Sequence, residues 1–244
     1  MGGPRKRRSH LPGHVVAMGG GGFLEEDAAL VDFLLSLAPM PRPRVCYLPT
    51  PSGDSDRGVA AFFEALSRRE CEPSCLRLFG TPERPAEQLA GMDVIYVSGG
   101  NTANALALWR LHGVDRALRE AWARGAVLGG GSAGANCWFE CSVTDSFGRQ
   151  LEPLRDGLAL LPGSFCPHYG SEERRRPAYR ALVDEGFPGA TRPTTGRRSG
   201  SRGGTCGRRS PPAPGRGPTA SSSGPRSRSR RALSDHEAAF LRLL

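Results

Sequence analysis

The sequence predicts an α/β fold, a parallel sheet with helices on both faces. Short, strongly apolar runs, such as those at 44–48 and 93–97, have the composition of strands buried on both sides. Each is followed by a stretch with helical periodicity, and repeated βα units imply right-handed crossovers and a doubly covered sheet. A further observation orients that sheet. Two glycine turns, Ser98-Gly-Gly-Asn-Thr102 and Gly129-Gly-Gly-Ser-Ala-Gly134, directly follow apolar strands, and in such sheets ligands gather beyond the carboxyl ends of the strands.

Residues 1–12, with Arg5-Lys6-Arg7-Arg8, form a basic leader lacking the apolar or amphipathic character of a targeting peptide, and are expected to be disordered. A strand at 14–18 follows, then a flexible glycine turn at 19–22 and a helix at 25–37, where Leu30, Phe33, Leu34 and Leu37 recur at helical spacing. Pro41 and Pro43 close that unit. A strand at 44–48, a loop at 49–53 and a helix at 56–68 repeat it. The pattern continues with a short strand at 76–79, one or two helical turns at 85–90, a fourth strand at 93–97 and helices at 102–111 and 114–124. A strand at 126–128 then runs into Ser132 and a helix at 133–139. A strand at 157–161 leads to the His168 loop, and Asp184 and Glu185 look helical.

From 190 to 231 the chain is Arg, Gly, Pro, Ser and Thr with almost no large apolar residue, so burial cannot offset chain entropy and disorder is expected. This is the composition of off-frame translation of GC-rich DNA, or of a genuine basic tail. A brief helical pattern covers 234–244. The chain thus divides into a leader (1–12), an α/β domain (13–189) that stops short of a complete sheet, and a tail (190–244).

The net charge is +9, from 33 basic and 24 acidic residues. Eleven arginines and no acid fall in 190–231, and the rest of the chain carries 22 basic and 24 acidic groups. The basicity therefore belongs to the tail, which could bind nucleic acid weakly through phosphates without reading sequence. Seven cysteines without framework spacing point to a reduced, cytoplasmic compartment, and no stretch is long enough to span a membrane. Cys71-x3-Cys75 and Cys137-x3-Cys141 lack histidine partners at ligand spacing, so no metal and no cofactor are expected.

Chemistry concentrates at Gly130-x-Ser132-x-Gly134. A nucleophile projecting from a tight strand-to-helix turn needs strained backbone, and flanking glycines remove the Cβ atoms that would collide there. The amide of Ala133, at the start of the helix, is placed to donate to an oxyanion. Gly100 in the neighbouring turn offers a second donor. Glycine turns before helices also bind phosphates or simply pack closely, and Asn101 or Thr102 could be helix caps and nothing more. A base must come within about 3 Å of the serine oxygen, and His168, in a loop after a strand of the same half of the sheet, is well placed. His10, His14, His112 and His236 lie in tails, at a strand start or at a helix end.

Four motifs in order and spacing, Met18-Gly-Gly-Gly-Gly22, Ser98-Gly-Gly-Asn-Thr102, Gly130-Gly-Ser-Ala-Gly-Ala135 and Pro167-His168-Tyr169, resemble the dipeptidase E (aspartyl dipeptidase) family of serine peptidases over roughly residues 13–189. The resemblance implies a class I glutamine amidotransferase-like fold with serine at the elbow, and a cytosolic peptidase that removes an N-terminal acidic residue from short peptides. It implies Ser132 as nucleophile, His168 as general base, the amides of Gly100 and Ala133 as oxyanion hole, and Asp145 as a charge-relay aspartate. The related cyanophycinases share the elbow. One departure stands out: the family's histidine-orienting acid lies on a later strand, where this chain has only the acid-free, Arg-rich stretch. An amidotransferase-like module without chemistry of its own is a further possibility, disfavoured because amidotransfer needs a thiolate at the elbow. Cys137, in the following helix, is read as a packing residue.

Overall fold

The computed structural model describes residues 12–20, 28–190 and 241–243. In chain order the elements are β1 (Val15–Met18), α1 (Ala28–Ser36), β2 (Arg44–Leu48), α2 (Asp56–Leu66), β3 (Glu72–Cys75), α3 (Pro85–Gln88), β4 (Val94–Val97), α4 (Thr102–His112) and α5 (Val114–Ala123). They continue with β5 (Val127–Gly131), α6 (Ala133–Asn136), β6 (Phe139–Thr144), β7 (Glu152–Leu154), β8 (Leu161–Phe165), α7 (Arg175–Asp184) and β9 (Leu241–Leu243). The main sheet runs β3-β2-β4-β5-β1-β9, parallel except for antiparallel β9 on β1.

Alternation along the strands sorts side chains to two cores. Val16, Met18, Val45, Tyr47, Val94, Tyr96 and Val127 face α1 and α2, meeting Leu30, Val31, Leu34, Phe62 and Leu66. Val15, Ala17, Cys46, Leu48, Ile95, Val97 and Leu128 face α4 and α5, where Trp109 and Leu118 are buried. Because both faces are covered, the strands read as continuous apolar runs, and this is why the sheet was legible in the sequence.

Four elements depart from the sequence expectation. The third strand is Glu72–Cys75, four residues earlier than 76–79. It lies at the sheet edge, where Pro73 and polar residues are tolerated. Leu76 and Leu78 are buried without pairing as a strand: Asp54 Oδ2 accepts from the Leu78 and Phe79 amides at 2.6 and 2.7 Å. The elbow helix α6 stops at Asn136, and Phe139–Thr144 is a strand, rich in the aromatic and β-branched residues that favour one.

The apolar run at 157–161 belongs largely to a loop. Ala159 takes a left-handed φ of 48° that breaks extension, while Leu158 and Leu160 donate to the Cys137 and Trp138 carbonyls. Instead β8 begins at Leu161, and with β6 and β7 it forms a second, three-stranded sheet. Finally, Leu241–Leu243 pair with β1 as a strand and not as part of a helix at 234–244, so the β1 edge of the main sheet is occupied. The expected disorder of the leader, and of 190–231 beyond Ala190, falls outside the described residues.

Candidate active site

The residues singled out by the sequence converge at the carboxyl ends of β1, β4 and β5. Ser132 donates its amide to the Met18 carbonyl at 3.1 Å, which ties the elbow to the end of β1. Its backbone sits at φ 52°, ψ −112°, a conformation that costs on the order of 1–3 kcal/mol for a residue with a side chain. The flanking glycines are sterically required. A Cβ on Gly130 would lie 2.4 Å from the Gly134 carbonyl oxygen, and one on Gly134 would lie 2.3 Å from the Val97 carbonyl oxygen.

His168 comes from the loop after β8. Its Nε2 lies 2.9 Å from Ser132 Oγ, the hydrogen-bonded contact that a serine and its base need. The ring is held from several directions. His168 donates its amide to the Gly19 carbonyl at 2.5 Å and itself takes a left-handed φ of 55°. Gly20 packs so closely that a Cβ there would lie 2.5 Å from His168 Nδ1. Gly19 and Gly20, the first two residues of what the sequence presents as a flexible turn, thus form the wall behind the imidazole.

The Ser98–Thr102 turn borders the same point. A Cβ on Gly99 would lie 3.7 Å from Ser132 Cβ, and Gly100 has φ 134° with the Pro51 carbonyl where a side chain would go. Asn101 is also a helix cap, accepting from the Asn104 amide at 2.9 Å. Ala133 begins α6, and its amide is one of the first-turn donors that the helix itself cannot satisfy.

Asp145 meets Arg175. Its carboxylate lies 3.2 Å from Arg175 Nη2. Arg175 is buried, with a side chain 3% exposed, and its Nε donates to Glu172 Oε2 at 2.7 Å. The other Glu172 oxygen, Oε1, lies 3.8 Å from His168 Nδ1. Sequence reasoning missed both Glu172 and Arg175. The available signal was the position of Glu172 four residues after the histidine, the spacing at which side chains meet across one helical turn.

Sulfur chemistry has no foothold beside the elbow. Cys137 is fully buried and contacts the Gly134 carbonyl at 3.2 Å, and burial holds its thiol well above the usual range. Burial likewise pushes the Cys166 thiol up to about 11. Among the described residues no group of three or more His, Cys, Asp or Glu is arranged to hold a metal ion. No described helix is long and apolar enough to cross a membrane.

Residues 15–188 match peptidase family S51. The chain belongs to that family. It is 49% identical over 176 residues to the uncharacterized peptidase YgaJ of Bacillus subtilis, covering 71% of this chain and 76% of that protein. In fold it is similar to a peptidase E candidate from Listeria monocytogenes EGD-e, with a TM-score of 0.53, 20% identity, and coverage of 71% and 87% of the two chains. The S51 chain is a serine-type peptidase with a peptidase E-like α/β fold.

Proposed function

We propose that this S51 peptidase cleaves short peptides, dipeptides with an N-terminal acidic residue in particular, with Ser132 as nucleophile and His168 as general base. The observation that carries the reading is the 2.9 Å contact between Ser132 Oγ and His168 Nε2 at a strained elbow. Nε2 takes the hydroxyl proton as Oγ attacks the scissile carbonyl, and returns it to the leaving amine as the acyl-enzyme forms. Water then enters by the same base and releases the acid. The amides of Ala133 and Gly100 are the assigned donors to the tetrahedral oxyanion, a role in which one donor is worth about 10²–10³ in turnover.

Preference for an acidic first residue rests on the four-motif resemblance. The test is a panel of dipeptides that varies the first residue, each with free and acetylated amino groups. Faster release from Asp-X than from Ala-X or Lys-X, abolished by acetylation, is expected. Equal rates across the panel would remove the acidic preference while leaving the serine mechanism standing.

A further inference from the structure

We propose that Glu172 is the carboxylate that positions His168, clamped in place by Arg175 with Asp145 behind it; this rests on the Ser132–His168 reading above. Glu172 divides its two oxygens. Oε2 takes the Nε proton of Arg175 at 2.7 Å, and Oε1 is left facing His168 Nδ1 at 3.8 Å. The backbone sets this up, because the Glu172 amide donates to the His168 carbonyl at 2.9 Å and so folds residue i+4 back over residue i. Arg175 in turn cannot swing away: it is buried, and its Nη2 reaches Asp145 at 3.2 Å.

The chain Asp145–Arg175–Glu172–His168–Ser132 is therefore continuous through side-chain contacts. It gives Asp145 a part in the site at second remove, and it supplies the acid that the Arg-rich stretch after the domain lacks.

A carboxylate beside Nδ1 does two things. It favours the tautomer with the proton on Nδ1, which leaves the Nε2 lone pair aimed at Ser132 Oγ, and it stabilises the imidazolium formed when that proton is taken. At 3.8 Å the contact is too long for a hydrogen bond, and it becomes an ion pair once the ring takes a proton. Catalytic contacts of this kind tighten when substrate is bound. Among the described residues, the groups facing the ring are Ser132 Oγ on Nε2, Glu172 on Nδ1, and the backbone of Gly19 and Gly20. The Arg175 guanidinium stands one carboxylate further out. Glu172 is a positioning residue, because it acts through His168.

The experiment compares Glu172→Gln and Glu172→Asp with the parent chain, reading kcat, KM and the rate at which a fluorophosphonate labels Ser132. The side chain of Glu172 is 45% exposed, so solvent replaces part of what it supplies. The expected fall in kcat for Glu172→Gln is about 10²-fold, smaller than the roughly 10⁴ for a buried triad aspartate, with KM unchanged. Without the carboxylate the imidazolium that forms as Ser132 attacks is less stable, and Glu172→Asp recovers part of the lost kcat and of the labelling rate.

A fall of less than tenfold in kcat for Glu172→Gln, with no difference between it and Glu172→Asp, overturns the proposal. If both variants fail to fold, Asp145→Asn, at the half-exposed far end of the chain of contacts, decides: a several-fold slower labelling of Ser132 supports the proposal, and an unchanged rate overturns it. Failure of the parent chain to label at Ser132 sinks the serine reading itself, and is distinguishable from every outcome above.

Discussion

Replacing Gly20 with alanine should disable catalysis while leaving the fold intact. The added Cβ would lie 2.5 Å from His168 Nδ1 and 2.7 Å from Cε1. Ordinary contact needs roughly 3.5 Å, so the ring or the turn must give way by about 1 Å. Gly20 needs no left-handed backbone, since its φ lies outside that range, and the substitution therefore costs little in local strain. His168 is a quarter exposed and is the softer partner. Moving the ring by that amount stretches the 2.9 Å contact with Ser132 Oγ beyond hydrogen-bonding reach. A 1 Å misplacement of a catalytic group costs about 10² in rate. The assay is kcat/KM on the best peptide of the panel beside a thermal melt. A rate near that of the parent chain would refute the view that Gly20 is the wall behind the imidazole; an unfolded protein would show that the glycine run matters to the fold and not to the ring.

Ser132→Ala and His168→Ala should each lower kcat by several orders of magnitude, and the double variant should be little worse than either, because residues acting in one step are non-additive. Additive losses in steady-state kinetics would separate their roles. Gly134→Ala should destabilise the chain by about 1–3 kcal/mol in chemical denaturation, since its Cβ would press on the Val97 carbonyl at 2.3 Å and the Ser98 carbonyl at 2.8 Å, both backbone atoms; an unchanged midpoint would contradict the close packing of elbow and sheet. Iodoacetamide at pH 8 should leave activity intact. With burial pushing Cys166 up to about 11, Cys75 up to about 11 and Cys46 up to about 12, about one thiol in a thousand or fewer is ionised at that pH, and inactivation that tracks alkylation of Cys137 or Cys166 would reopen cysteine chemistry.

The sequence was informative where burial is symmetric. Strands β1, β2, β4 and β5 are covered on both faces, so their apolar runs stood out, and Ser132 was legible through its flanking Gly130 and Gly134, where only glycine fits beside the neighbouring carbonyls. It was less informative where side chains are held by groups distant in the chain. β3 lies at an edge and carries Glu72 and Pro73, so apolar content pointed to the following residues, of which Leu78 and Phe79 have their amides held by Asp54. Asp145 was visible as an acid shortly after the elbow, but its partner Arg175 stands thirty residues away and gives no local pattern. Glu172 was overlooked because the search for an orienting acid looked beyond the domain, while the turn after His168 brings one back over the ring.

Intact-mass and peptide-mapping analysis after treatment with a fluorophosphonate tests the central claim most directly. The account predicts a single phosphonyl adduct on Ser132, formed in step with loss of peptidase activity, and formed far more slowly in the His168→Ala chain, where no base takes the Oγ proton. An adduct on a different serine, or full loss of activity with Ser132 unmodified, would contradict it.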